Sequence, residues 1–124
     1  MILDIAQYGR KGPVHSRDIA ERQDISLKYL EKLVRMLRSA GLIESRRGPR
    51  GGHMLAKSAH AITVGDIVRV MECPPTYDDC ACSDGDCRDC PMNEGCLTKE
   101  IWMETFRSMY EKLDSFVIGR LISR

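Results

Sequence analysis

The chain has 124 residues, 43% of them apolar and 30% charged, which is enough for a modest core and allows one domain, or one domain plus a dimerisation element. No apolar run approaches the eighteen or so residues of a membrane span, and Met1-Ile2-Leu3-Asp4 lacks the basic start of a secretory leader. The net charge of +1 conceals an asymmetry: residues 1–58 hold twelve Lys/Arg against six Asp/Glu, and residues 59–124 hold seven against twelve. A basic first half is the electrostatic footprint of a nucleic-acid face.

Ile2, Leu3, Ile5, Ala6 and Tyr8 read as the last turns of a helix, with Gly9 as its C-cap. Gly12-Pro13 breaks the chain, and Ser16 is placed to cap a short helix over Arg17–Arg22 with Ile19 and Ala20 inward. After the tight link Gln23-Asp24-Ile25, Ser26 caps a longer helix that runs to about Ala40 and closes at Gly41. Its apolar stripe is Leu27, Leu30, Leu33, Val34 and Leu37; its opposite face carries Lys28, Glu31, Lys32, Arg35 and Arg38. A short helix, a tight turn and a capped helix with a basic outer face make a helix-turn-helix pattern.

Leu42–Arg47 then reads as a strand, Gly48–Gly52 as a turn and His53–Ala56 as the returning strand. A hairpin with four basic or imidazole side chains, Arg46, Arg47, Arg50 and His53, around a Gly-rich tip is a wing, since arginines can enter a minor groove. Thr63, with Asp66 three residues on, opens a helix whose buried face is Val64, Ile67, Val68 and Met71, and Cys73-Pro74-Pro75 ends it. The last helix is expected from Thr98, with Trp102, Thr105, Phe106, Met109, Leu113, Phe116, Val117 and Leu121 at three- and four-residue spacing. That stripe is too long to satisfy on so small a domain and points to a homodimer of paired helices.

Between these helices lie Cys80, Cys82, Cys87, Cys90 and Cys96, spaced C-x-C-x4-C-x2-C-x5-C, with Cys73 before them. The segment carries almost no core-forming residues, so the thiols call for a metal or for each other rather than burial. Without export, six cysteines in a chain expected in the cytoplasm argue against a disulfide framework. Only Cys87/Cys90 has the spacing of a zinc knuckle, and an iron–sulfur cluster is more permissive, so chemistry alone divides the two evenly. A thiol/disulfide switch is the third option. No His/Asp/Ser constellation points to hydrolysis, Cys87/Cys90 lacks the context of an oxidoreductase motif, and His15, His53 and His60 read as surface residues; the chain is not expected to be an enzyme.

The stretch KGPVHSRDIAERQDISLKYLEKLVRMLRSAGLIESRRGPRGGHMLAK at 11–57, followed by ITVGDIVRVME at 62–72, closely resembles the IscR-like (Rrf2) family of bacterial winged-helix transcription regulators. The most specific matches are I-S-x-x-Y-L-E, R-G-P-x-G-G and C-L-T-x-x-I-W. The resemblance implies a mainly α fold with a small β-hairpin: a winged helix-turn-helix domain at 1–72, a cluster-binding loop at 73–98 and a dimerisation helix at 99–124. It implies a double-stranded DNA operator as partner, contacts at Lys28, Tyr29, Glu31 and Arg47, and a 2Fe–2S or 4Fe–4S cluster. Cys96 and Cys90 match the last and middle cluster cysteines, and Cys80 or Cys82 supplies the first. Lys99 stands where the housekeeping cluster sensor has a ligating His, which leaves the fourth ligand open among Cys87, Cys80 and a residue of the partner's first helix.

Overall fold

In the computed structural model, which describes residues 1–72 and 97–123, the chain opens with α1 (Ile2–Tyr8). Ile2, Ile5 and Ala6 are buried, and so is Asp4, whose carboxylate accepts two hydrogen bonds from the Arg22 guanidinium at 2.6 and 2.9 Å. Burial of that carboxylate is tolerable because its oxygens are met by a forked cation. The expected cap at Gly9 is not left-handed: the chain continues as a 3-10 turn over Gly9–Lys11 and breaks at Gly12, where φ is +142°.

α2 (Ser16–Gln23) begins one residue earlier than expected, with His15 at its N-cap position. Ser16 therefore does not cap it. Asp24 takes the left-handed turn at φ 50°, which leads into α3 (Leu27–Ser39). There the cap is as expected: the Ser26 hydroxyl accepts from the Tyr29 amide at 3.2 Å. Leu30, Val34 and Leu37 are buried against Ile19 and Ala20 of α2, whereas Leu27, in the first turn, stands exposed.

β1 (Ile43–Arg46) and β2 (Gly52–Leu55) form an antiparallel hairpin pairing Ile43 with Leu55 and Ser45 with His53. Val14 adds a third short edge through two backbone hydrogen bonds with His53, 2.9 and 2.8 Å long. This pins the hairpin to the connection between α1 and α2.

α4 (Val64–Glu72) starts with a reciprocal box: the Thr63 amide donates to Asp66 Oδ2 at 2.9 Å, and the Asp66 amide to Thr63 Oγ1 at 3.1 Å. Val64, Ile67 and Met71 pack on the core as expected, joined by Val70 rather than Val68.

α5 (Leu97–Asp114) is the long helix, and it is shorter than its apolar periodicity suggests. After Asp114 the chain turns back instead of continuing through Phe116, Val117 and Leu121 as one helix. The Val64 amide donates to the Phe116 carbonyl and the Ile118 amide to the Ile62 carbonyl, both at 2.9 Å, so Val117 pairs with Thr63. The short α6 (Ile118–Leu121) follows, and Ile118 is fully buried beside Ile5 and Ile62 in the core.

The root of α5 is held by Arg69. Its guanidinium donates to both oxygens of Asp114 at 2.7 Å, Thr63 Oγ1 donates to the same carboxylate at 3.3 Å, and Tyr110 lies 4.6 Å under the guanidinium. Gly65 makes the approach possible, because a Cβ there would collide with the Asp114 carboxylate. The Arg69 hydrogen bonds hold the Asp114 carboxyl below its ordinary range.

Candidate nucleic-acid interface

α3 presents Lys28, Tyr29, Glu31, Lys32 and Arg35 to solvent, with Ser26 at its cap. Lys28, Lys32 and Arg35 are spaced by four and three residues and so share one helical face. Stability does not require these cations, because the opposite face makes the core contacts. Arg46, Arg47 and Arg50 of the hairpin are likewise exposed. Among the described residues Arg46 has one loose ionic neighbour, Glu44 at 3.9 Å, a pair worth little in water.

A shallow cleft of about 360 Å3 separates α3 from the hairpin. Of the residues expected at the interface, it brings together Glu31 and Arg46; Lys28, Tyr29, Lys32, Arg35, Arg47 and Arg50 do not line it. His15, Arg17 and His53 do.

His53, expected as a surface side chain of the wing, is placed differently from that expectation. Rather than a surface imidazole, it is half-buried, with Nε2 2.7 Å from Ser16 Oγ and Nδ1 2.8 Å from Ser45 Oγ. This explains why Ser16 does not cap α2: its hydroxyl is engaged by an imidazole from the hairpin. Burial, reinforced by the positive charge of Arg38 and by His15, pushes the His53 pKa below its ordinary value. His15 and His60 are exposed, as expected. The only advance signal for His53 was its register opposite Ser45 once the turn is fixed.

The candidate metal ligands Cys80, Cys82, Cys87, Cys90 and Cys96 lie outside the described residues. The sequence that carries them joins the end of α4 to the start of α5. Among the described residues, no three His, Cys, Asp or Glu side chains gather as a metal site. No described helix is long and apolar enough to cross a membrane.

Residues 1–124 match the Rrf2 family, described as iron-dependent transcriptional regulators. The protein rrf2 of Nitratidesulfovibrio vulgaris is 46% identical over 98% of this chain and 79% of its own length. The transcriptional regulator IscR of Erwinia tasmaniensis is 37% identical over 98% of this chain and 72% of its own. Among solved structures, IscR of T. potens superposes with a TM-score of 0.75 at 36% identity, covering 98% of this chain and 77% of that one. CymR, the global cysteine regulator of B. subtilis, gives 0.75 at 34%, covering 98% and 87%. These relatives are regulators and not enzymes, and their fold is the winged arrangement built here by α2, α3 and the hairpin. With the match running from the first residue to the last, the chain belongs to the Rrf2 family of transcriptional regulators.

Proposed function

We propose that this chain is a homodimeric operator-binding regulator whose DNA affinity responds to iron–sulfur, redox or nitric oxide status through its cysteine-rich segment. The observation that carries the reading is placement. Exposed cations lie on both α3 and the hairpin, which line one cleft, while the thiol-bearing sequence is spliced between α4 and α5, which Arg69 and Asp114 tie together.

Within this reading, Glu31 accepts from a base edge in the major groove, Lys28, Tyr29, Lys32 and Arg35 set the register on phosphates, and Arg46, Arg47 and Arg50 serve the minor groove. The pairing surface is α5, which has no buried residue and leaves Leu97, Ile101, Trp102 and Met109 exposed. Two copies related by a two-fold axis would present their recognition helices to two half-sites.

The donor set fits an iron–sulfur group: Cys90, Cys96 and one of Cys80 or Cys82, with Cys87 or Cys80 available as a fourth thiolate. When bound, such a group supplies a centre that reacts with oxidants and nitric oxide. The chain's own part is mechanical. Arg69, Asp114, Thr63 and Tyr110 fix the root of α5 on α4, so the angle between the pairing helix and the winged half is set at one junction.

The test is an ultraviolet–visible spectrum with iron, sulfide and zinc analysis of anaerobically purified protein, followed by binding to genomic operator fragments before and after chelation. Visible charge-transfer bands, matched iron and sulfide, and affinity that changes on chelation are expected. A colourless protein with bound zinc would replace the cluster with a structural zinc site. A metal-free protein whose affinity follows thiol oxidation would replace it with a disulfide switch. Equal affinity in every state would refute sensing altogether.

A further inference from the structure

The cleft between α3 and the hairpin is lined by Leu27 and Glu31 from α3, Arg46 and His53 from the hairpin, and His15 and Arg17 from the start of α2. Of these, His53 is fixed most tightly. Its backbone pairs in both directions with Val14, and its ring nitrogens meet Ser16 Oγ and Ser45 Oγ at 2.7 and 2.8 Å. A hydroxyl can donate or accept, so the two serines satisfy the neutral ring in either tautomer and the imidazolium equally well. Charging the ring therefore breaks no hydrogen bond.

The rest of the surroundings are mixed. Arg17 and Arg46 are exposed cations of the cleft, and Glu31 is the only carboxylate among the described residues that line it. Arg38 of α3 and His15 act on the ring as positive neighbours. On the other elements against β2, Asp4 of α1 is engaged by Arg22, Glu44 of β1 lies near Arg46, and Arg10 and Lys11 of the 3-10 turn point to solvent. What charging the ring costs is desolvation and cationic company, and the attraction of an arriving anion opposes both.

Duplex geometry supplies that anion. A helix in the major groove and a wing in the adjacent minor groove straddle the sugar–phosphate strand that divides the two grooves. This step rests on the DNA-binding reading above. We propose that the cleft is a phosphate subsite for the strand passing between helix and wing, and that His53, held by Ser16 and Ser45, takes up a proton from solvent as that strand seats. His53 is thus a positioning residue that also links binding to pH; it locks the hairpin to α2 and adds a charge only in the complex.

The contact is to phosphate, so it requires no particular operator: a fluorescent mixed-sequence duplex of about 25 base pairs at low salt is a sufficient probe. Affinity is expected to rise as pH falls from 8 toward 5.5, by up to about tenfold per pH unit where one proton is taken up. His53→Gln should flatten that slope, and His60→Gln, exposed and outside the cleft, should keep it. In the unmodified chain, nuclear magnetic resonance should show the His53 ring titrating at higher pH once duplex is added, a readout that needs no variant to fold. A slope retained in His53→Gln, or a ring midpoint unmoved by duplex, overturns the proposal while leaving DNA binding intact. Failure to bind duplex at any pH overturns both readings together.

Discussion

Replacing Gly52 with alanine would test how rigidly the wing is mounted. Gly52 opens β2 at φ +150°, a region that residues with a Cβ rarely occupy, and that strain alone costs on the order of 1–3 kcal/mol. A Cβ there would also stand 2.6 Å from the Val14 carbonyl oxygen and 2.7 Å from its carbon, both backbone atoms. Val14 cannot yield freely, because its two hydrogen bonds to His53 help join the hairpin to the body, each contributing about 1 kcal/mol net. Strain plus partial loss of that pair gives a destabilisation of about 2–4 kcal/mol, a large share of a small domain's stability. In urea, with a slope of about 1–2 kcal/mol per molar, the midpoint should fall by roughly 1–4 M. Gly41→Ala is the internal control: it has φ +68° but no atom within 4 Å of its Cβ, so it pays only the left-handed penalty of about 1–2 kcal/mol. If Gly52→Ala unfolds no more easily than Gly41→Ala, the Val14 contact does not hold the wing.

Other outcomes follow from the same contacts. Asp114→Ala should speed amide exchange at the end of α5 and in the first turn of α4, since it strips partners from Arg69 and Thr63; unchanged exchange would show that the ion pair does not anchor the helix. The Asp114 carboxyl titrates below its ordinary 3.8, so its contribution is complete above that value and is lost as pH falls through the lower folded value; Asp114→Asn should shrink this acid loss in thermal melts. His53 runs the other way from DNA affinity. Its folded pKa lies below 6.5, so the unfolded chain binds the proton more readily, and stability should rise with pH up to about 6.5, a dependence that His53→Gln should reduce. Combining Ile101→Glu with Trp102→Glu should yield a monomer in sedimentation, since both side chains are exposed on α5; an unchanged sedimentation coefficient would refute pairing through that face.

What could be read from the sequence is what neighbouring residues decide. The Ser26 cap and the Thr63–Asp66 box were legible because each is a side chain meeting a backbone amide three residues away. The hairpin was legible to within a residue, since its glycines and alternating flanks fix the turn. Ser16 has the same local credentials as Ser26, but its hydroxyl meets His53 from a distant strand, and no local rule announces that competition. Leu27 keeps the helical spacing of its stripe, yet the core does not extend over the first turn of α3. The periodicity from Trp102 to Leu121 would look the same in one helix or in two. The choice is made by Thr63, which pairs with Val117 and turns the chain back. The cysteines lie outside the described residues, so their ligand assignments rest on composition, spacing and family resemblance alone.

The burial of Ile118 bears on how the molecule is made. The winged half is encoded first, but its core holds Ile118, with Leu121 and Ile122 packed against it, from near the other end of the sequence. A nascent chain that has released only α1 to α4 has an open slot beside Ile5 and Ile62, and it lacks the Val117 edge that pairs with Thr63. Translation therefore delivers every cysteine before the DNA-reading half can close its core. During synthesis, a partial product that completes its winged half before its cysteines exist is disfavoured by the order of the residues themselves.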